Sequence, residues 1–417
     1  MNLVLVSLDA VWGQDVDVLQ KLPHLGPLFQ KGLRCRRVQT VYPTITYPVH
    51  VSMVTGVPPR IHGIGHNQPF DAAKDRGLQP EFIARIEKAG LPLDACRPWH
   101  WDHHDIAVPT LFDACKKAGK QVCSILWPVT GKHRGIRWNF PEVLAMPWEN
   151  QTLKMLRYGS PLWLLKTELK YGKQRKSTQE PWLSDYGTLL AVSRLEKKKI
   201  PHLTALHLVD CDAMRHHHGV HSAEAMEALR RLDHRVGQIL DALKRSGHDQ
   251  DTALLIVSDH GQEDVSTPIC LTEALKTNGF HAQAQSLGRG AYIHAHPDYP
   301  DEINLIHHYF AQHQKELGIA DLYDEAAIAA MGGPEKVRLA VDAAEGVVFT
   351  DGLSDAKREK ATHGFGPEHA AAQCLMSLTG PGIPDRELDA MHVTDIAALA
   401  ARLLQVPWPA DHGTSPL

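Results

Sequence analysis

Five acidic or imidazole side chains that could bind metal follow three short apolar runs far apart in the sequence. They are Asp9, Asp212, His216, Asp259 and His260. Parallel strands of an open α/β sheet bring their carboxyl ends to one edge, where ligands bind, so we expect these side chains to meet there. Asp212 and His216 are four residues apart, which places both on one side of a helical turn. Oxygen and imidazole donors together suit zinc or a similar divalent ion.

Each feature taken alone has an ordinary explanation. A lone Asp-x-x-x-His is more often an exposed ion pair, and Asp259-His260-Gly261 is common turn chemistry. Taken together they favour a metal site, because several carboxylates at one edge repel one another unless cations lie between them. Asp210 stays an alternative to Asp212. A neighbouring histidine run is interpreted as solvated rather than ligating: His217, His218 and His221.

The elements that must position these residues alternate between buried strands and amphipathic helices, which predicts an α/β fold with a mostly parallel central sheet and helices on both faces. The strands are predicted at residues 3–8, 121–126, 204–209 and 252–258. The clearest helix has Ser222 as its N-cap and Gly247 as its C′ residue. We expect one catalytic domain over residues 1–417, with an aromatic helical lid at 132–200 and a small inserted subdomain at 271–345.

Composition narrows the function classes. The 417 residues include 44 Lys or Arg and 48 Asp or Glu, a formal net charge of −4, so nucleic-acid polymers and membranes are not expected partners. No membrane span or secretory signal is recognisable, and seven scattered cysteines fit a reducing compartment, so a cytoplasmic location is expected. The 27 histidines are consistent with metal binding.

A further set of motifs surrounds these candidate ligands. The run Tyr42-Pro43-Thr44-Ile45-Thr46-Tyr47-Pro48-Val49-His50 is followed by Thr55-Gly56 and by His62-Gly63-Ile64-Gly65-His66-Asn67. With residues 209–219, 258–261, His363-Gly364 and Gly380-Pro381-Gly382, the chain resembles the nucleotide pyrophosphatase/phosphodiesterase family of the alkaline phosphatase superfamily. The matches cover residues 1–67 and roughly 203–382 in the family's order, and an ordered set is much more specific than any single motif.

The resemblance implies an alkaline-phosphatase-like fold and a hydrolase with two divalent metal ions, zinc or alternatively manganese. One ion would be bound by Asp212, His216 and His363, and the other by Asp9, Thr46, Asp259 and His260. Thr46 aligns with the family's nucleophile, which would attack a phosphodiester or pyrophosphate bond of a nucleotide or another small molecule and form a covalent phosphothreonine. Asn67 would bind a phosphate oxygen, and Tyr47 would contact the substrate unless it packs beneath the loop.

Three positions depart from the family pattern: Val49 replaces an asparagine, Arg215 a glycine, and Gln262 a methionine. None removes a ligand, but a phosphonate hydrolase or a phosphomonoesterase stays open as an alternative. A sulfatase is disfavoured because Thr46 stands where a Cys or Ser would be required. A histidine-rich metal-binding protein without activity is the non-enzymatic alternative, and such a protein would have no need of Thr46 and Asn67.

Overall fold

Short runs of aliphatic residues that are buried on both sides form the central sheet. The computed structural model describes residues 1–70, 98–146, 148–352 and 359–417. The strands in chain order are β1 (Asn2–Leu8), β2 (Leu33–Gln39), β3 (Val122–Ile125), β4 (Trp138–Phe140), β5 (Leu203–Leu208), β6 (Thr252–Val257), β7 (Glu263–Asp264), β8 (Thr267–Ile269), β9 (Ala282–Ser286), β10 (Gly290–Ala295), β11 (Ile319–Asp324), β12 (Leu339–Ala343), β13 (Val347–Phe349), β14 (Ala361–Thr362), β15 (Cys374–Thr379), β16 (Arg386–Leu388) and β17 (Met391–His392). The four predicted strands are confirmed to within one residue as β1, β3, β5 and β6.

The central sheet has the strand order β16-β2-β15-β6-β1-β5-β3-β4, and β17 also pairs with β2. Strands β6, β1, β5, β3 and β4 are parallel neighbours, whereas β15 runs antiparallel between β6 and β2. The predicted α/β fold with a mostly parallel sheet is therefore confirmed. Because β1 lies between β5 and β6, the three strands that precede the candidate ligands are direct neighbours.

Helices cover both faces of this sheet. The helices in chain order are α1 (Val16–Leu19), α2 (Leu25–Gln30), α3 (Thr46–Thr55), α4 (Pro59–His62), α5 (Leu111–Lys117), α6 (Gln151–Tyr158), α7 (Pro161–Tyr171), α8 (Trp182–Leu195), α9 (Asp210–His218), α10 (Ala223–Ser246), α11 (Leu271–Thr277), α12 (Glu302–His313), α13 (Glu325–Ala330) and α14 (Asp395–Leu404). Alternate residues of β1 enter different clusters: Leu3 and Leu5 pack with α3, α5 and α14, while Val4 and Val6 pack with α2, α8 and α10. The period of two is what a strand buried on both faces requires.

Local sequence signals set the helix ends. The predicted long helix is α10: the Ser222 side chain accepts a hydrogen bond from the Ala225 N–H, and Gly247 adopts a left-handed conformation with φ 75°. Helix α5 begins in the same way, since the Thr110 hydroxyl accepts from the Asp113 N–H. Among the described helices, none is both long and apolar enough to cross a membrane.

Two segments extend from the central sheet. Strands β9, β10, β11 and β12 form a separate antiparallel sheet that packs with α11 and α12 around its own apolar cluster, within the stretch predicted as an inserted subdomain. Helices α6, α7 and α8 lie in the stretch predicted as a lid, and they pack at the sheet edge formed by β3 and β4. The six described cysteines are buried and unpaired, and Cys96 lies outside the described residues.

Candidate active site

The carboxyl ends of β1, β5 and β6 meet at one edge of the sheet and carry the predicted acidic residues. Asp9 directly follows β1, and Asp259 follows β6 after one residue. Helix α9 begins at Asp210, two residues after β5 ends, and brings Asp212 and His216 to the same edge. Parallel pairing in register, with Leu8 opposite Leu208 and Ser7 opposite Val257, accounts for their meeting.

Thr46 reaches this edge from the first turn of helix α3. It is the first residue of that ten-residue helix, after Ile45 in an extended conformation. Its hydroxyl Oγ1 lies 3.3 Å from Nε2 of His260. The helix N-terminus carries the positive end of the peptide dipoles, so a negative charge that develops on Oγ1 or on a nearby phosphate is stabilised there.

Thr46 borders a first group of possible metal ligands, Asp9, Asp259 and His260, whose donor atoms lie within 4.8 Å of one another. The Nε2 atom of His260 is 3.3 Å from Asp259 Oδ2 and 3.7 Å from Asp9 Oδ1. All three side chains are buried. A second group consists of Asp212, His260 and His363.

His216 joins this second group through Asp212. Its Nε2 atom lies 3.3 Å from Asp212 Oδ1, and Nε2 of His363 lies 3.9 Å from the same oxygen. The rings of His260 and His363 stack with their centroids 3.9 Å apart, so the two groups are adjacent. The structure thus brings together the seven residues that the sequence suggests as ligands, from five separate segments of the chain.

The protonation properties of Asp9, Asp259, His260 and His363 fit cation binding, whereas the charges of Asp212 and Glu359 outweigh burial and raise the pKa of His216. Burial, together with the charge of Asp212, raises the pKa of Asp9 to about 6, and burial together with Asp9 raises the pKa of Asp259 well above its usual value. Burial lowers the pKa of His363 to about 4 and that of His260 well below its ordinary value, so both imidazoles are neutral and able to ligate.

Several buried polar atoms of the cluster also lack a hydrogen-bond partner within the described part of the chain. They are Asp9 Oδ1, Asp259 Oδ2, His260 Nδ1 and His363 Nδ1. Buried polar atoms without partners are costly, and buried carboxylates in close contact need a compensating positive charge. The donor set of carboxylates, imidazoles and one hydroxyl suits zinc or manganese, so the residues present fit divalent ions.

His207 contacts a candidate ligand, and the sequence did not predict this role. It lies within β5, is fully buried, and its Nε2 is 2.9 Å from Asp9 Oδ2. Its Nδ1 lies 3.1 Å from the Leu126 carbonyl and 3.6 Å from Glu142 Oε2. The available signal was an imidazole in an otherwise apolar strand, Leu203–Leu208.

Three further residues, whose roles the sequence did not predict, border the ligands. His50 Nδ1 lies 2.8 Å from the Thr46 carbonyl and 3.6 Å from Asp259 Oδ2. Gln262 donates from Nε2 to Asp212 Oδ1 at 2.6 Å, and Glu359 Oε2 is 3.6 Å from His216 Nδ1. Gln262, one of the departures from the family pattern, therefore holds a candidate ligand carboxylate.

The structure favours Asp212 over Asp210 as a ligand. Asp210 is buried in an ion-pair network in which Arg231 and Arg235 both donate to its carboxylate, at 2.6 to 2.7 Å. Arg215 is buried as well, and it donates to both Asp15 oxygens and to the Ala10 carbonyl. Its guanidinium is therefore committed to a carboxylate and does not line the cavity above the site.

The two threonines of the loop, Thr44 and Thr46, have different surroundings. The Thr44 hydroxyl is fully buried and donates to the Phe365 carbonyl at 3.1 Å, whereas Thr46 lines the cavity. Tyr47 is also fully buried, and its ring packs edge-on against Trp99 at 5.3 Å. Tyr47 therefore does not line the cavity, and its ring packs beneath the loop, which is the alternative to a substrate contact that the sequence left open. Trp99 lines the cavity instead.

Asn67 faces the cavity beside Thr46. Its Oδ1 accepts a hydrogen bond from the Tyr47 N–H at 2.9 Å, which fixes the orientation of the side-chain amide. The carbonyl oxygen is used at the start of helix α3, so the NH₂ group is the part of the amide available to a ligand. This arrangement supplies a neutral donor next to the Thr46 hydroxyl.

The cavity above these residues has a volume of about 340 Å³. One wall carries Thr46, Asn67 and Trp99, and another comes from residues 286–288 and 348–351. Besides the ligand cluster its charged lining residues are acidic, namely Glu142, Asp351 and Glu359, and no Lys or Arg lines it among the described residues.

The fold and this site define an α/β protein of the alkaline-phosphatase-like class. Murine ectonucleotide pyrophosphatase/phosphodiesterase 5 superimposes with a TM-score of 0.69 at 20% identity, covering 98% of this chain and 96% of that chain. The human protein of the same name gives a TM-score of 0.70 at 20% identity, covering 99% and 97%. An inactive variant of the murine protein was solved in complex with AMP, with the same TM-score, identity and coverage as the murine protein.

The chain belongs to the type I phosphodiesterase/nucleotide pyrophosphatase family, whose model matches residues 3–365. Ectonucleotide pyrophosphatase/phosphodiesterase family member 1 of Rattus norvegicus is 27% identical over 268 residues, 61% of this chain and 22% of that protein. Family member 7 of Rattus norvegicus is 24% identical over 269 residues, 64% and 51%. The match thus spans about a fifth to a half of these relatives' length.

Proposed function

We propose that this protein is a phosphodiesterase or nucleotide pyrophosphatase that hydrolyses its substrate through a covalent intermediate on Thr46. The observation that carries the proposal is the placement of the Thr46 hydroxyl. It stands at a helix N-terminus, on the wall of the cavity and 3.3 Å from an imidazole of the acidic cluster. The family membership and the AMP complex of the murine relative support a nucleotide or similar small molecule as the substrate.

The residues that would hold two divalent ions are Asp212, His216 and His363 for one, and Asp9, Thr46, Asp259 and His260 for the other. Bound ions would activate the hydroxyl and stabilise charge on the attacking and leaving oxygens. The buried donors without partners and the raised pKa values of Asp9 and Asp259 support this assignment.

The reaction follows from the positions of the protein's own groups. Thr46 Oγ1 gives its proton to water and forms a bond to phosphorus, while the bond to the leaving oxygen breaks and that oxygen departs as an anion or takes up a proton from water. The Asn67 amide donates to a non-bridging oxygen, and the N-terminal turn of α3 stabilises the developing negative charge. A water molecule then cleaves the threonine phosphate ester, which regenerates Thr46 and releases the phosphoryl product.

Thr46 and Thr44 form a matched pair for testing the nucleophile. Thr46→Ala should lower kcat by several orders of magnitude and abolish labelling of the loop peptide by the thymidylyl group, whereas Thr46→Ser should retain activity. Thr44→Ala removes only the bond to the Phe365 carbonyl and should remain active. The measurement is nitrophenyl thymidine monophosphate turnover with mass spectrometry of the trapped intermediate. An active Thr46→Ala with an inactive Thr44→Ala would refute the assignment.

The charge of the cavity favours diesters over monoesters. A monoester has an additional charged oxygen, and the described lining offers acidic side chains and the neutral Asn67 rather than a Lys or Arg to meet it. We expect kcat/KM for nitrophenyl thymidine monophosphate to exceed that for nitrophenyl phosphate by at least about tenfold, roughly 1.4 kcal/mol. Both are measured at the same zinc concentration, and equal values would contradict the diesterase assignment.

A further inference from the structure

Helix α7 exposes large apolar side chains on its outer side. Leu162 is 76% exposed, Leu165 48% and Leu169 90%. Their spacing of three and four residues places them on one face of the helix. The opposite side is anchored to the protein, because Leu164 and Thr167 are buried. This helix therefore presents an apolar stripe to the protein and another to the outside.

Basic side chains lie beside the outer stripe. Lys166 lies four residues after Leu162, and Lys170 lies four residues after Lys166. Lys173 continues this row of lysines. All three are exposed, and none has an ion pair with a described residue. We name the set of these lysines and the three leucines the lid face.

The lid face lies in a strongly basic segment of an acidic chain. Residues 151–176 contain seven Lys or Arg and one acidic residue, Glu168, although the whole chain has a net charge of −4. Two of the seven are neutralised by ion pairs, since Arg175 pairs with Glu168 at 2.9 Å and the buried Lys154 pairs with Glu149, and the other five remain. The balanced overall composition, from which no membrane partner is expected, thus conceals a local concentration of positive charge.

An apolar cavity opens beside the lid face. Its volume is about 160 Å³, and the exposed Leu144 and Leu165 are among its lining residues. Glu142 lines both this cavity and the catalytic cavity, so the two are adjacent. The apolar cavity is therefore lined both by Leu165 of the lid face and by Glu142 of the catalytic cavity.

We propose that the lid face binds peripherally to a lipid bilayer that contains anionic headgroups. Leucines on an exposed helix face enter the boundary between headgroups and acyl chains, while the adjacent lysines attract anionic lipids. A second copy of the chain fits this face poorly, since lysines would face lysines. Nucleic acid leaves the exposed leucines without a partner. The proposal goes beyond the hydrolytic function and does not depend on it.

Sedimentation of the metal-bound protein with vesicles tests the proposal. Phosphatidylcholine vesicles are compared with vesicles that also contain phosphatidylserine, at low and high salt. We expect binding that needs phosphatidylserine and weakens with salt. The double variants Leu162→Ser/Leu169→Ser and Lys166→Gln/Lys170→Gln should each lower the affinity at least about tenfold.

Two controls separate a docking face from a change in folding. Leu305→Ser removes an exposed leucine from α12, and Lys276→Gln removes an exposed lysine from α11, so both should bind like the wild type. All variants should hydrolyse the soluble nitrophenyl diester equally. Failure of the wild type to sediment with phosphatidylserine vesicles would overturn the proposal. Equal binding by the lid-face and control variants would also overturn it. A dimer that forms without lipid and that Leu162→Ser/Leu169→Ser dissociates would overturn it as well.

Discussion

Replacement of Arg215 by methionine tests whether this cation serves the fold or the phosphate. Its side chain is 1% exposed and bonds both oxygens of the Asp15 carboxylate, at 2.6 and 3.0 Å, together with the Ala10 carbonyl. The substitution leaves the buried Asp15 carboxylate without its cation. Removing one partner of a buried ion pair costs about 3–5 kcal/mol, so the free energy of unfolding should fall by that amount.

The same substitution should affect both substrate classes equally. Ala10 follows Asp9 in a left-handed conformation with φ 55°, and its N–H donates to Asp259 Oδ1 at 3.1 Å. Arg215 therefore supports the turn that positions two candidate ligands, and its loss should lower kcat/KM for diester and monoester by the same factor. If the guanidinium bound the phosphate instead, its loss would lower kcat/KM more for the monoester, because the monoester has an additional charged oxygen.

Urea unfolding and the two nitrophenyl substrates measure these effects. The double variant Asp15→Asn/Arg215→Met leaves no buried unpaired charge, so it should recover more than half of the lost stability, a coupling that a double-mutant cycle measures. An Arg215→Met protein as stable as the wild type, or one that loses monoester turnover alone, would refute the reasoning.

Three other perturbations test the site and its surroundings. His363→Ala should release one of two bound divalent ions, as measured by metal analysis; two tightly bound ions with full activity would contradict its assignment. Asn67→Asp keeps an acceptor for the Tyr47 N–H but removes the amide donor. It should therefore lower kcat for the diester about a hundredfold, as Asn67→Ala should. A rate near that of the wild type would show that only the hydrogen bond to the Tyr47 N–H matters. Burial raises the pKa of Asp342 to about 7. Between pH 4 and 7 the unfolded chain therefore loses a proton that the folded chain keeps, and the free energy of unfolding falls as pH rises. Asp342→Asn should remove that fall, at most about 4 kcal/mol, and parallel unfolding curves over this range would contradict it.

The sequence predicts the parts of the site that depend on local pattern. Asp9 and Asp259 could be found because they follow apolar strands, and parallel strands in register bring such residues together. The ends of α10 could be found because Ser222 and Gly247 act through their own backbone neighbours. The role of Thr46 as nucleophile, its choice over Thr44, and the role of His363 as a ligand could be predicted only from the resemblance to a family.

The remaining features depend on contacts between distant segments. Arg215 looks like a cation near the metal edge until Asp15, 200 residues away, is seen to neutralise it. Tyr47 looks like a substrate contact because no local pattern tells which side of the loop is buried. His207 is hidden in a strand, and only the pairing of β5 with β1 reveals that it faces Asp9.

The position of β15 determines when the molecule can complete its fold during synthesis. This strand follows β6 and the whole separate antiparallel sheet in the chain, yet it lies between β6 and β2 and joins them into one sheet. A chain emerging from the ribosome can pair β1, β5 and β6 earlier, but β2 stays apart until β15 has been made. His363 emerges only shortly before β15. A nascent chain that has not been made as far as His363 therefore lacks one of the candidate ligands, even when β1, β5 and β6 have already paired.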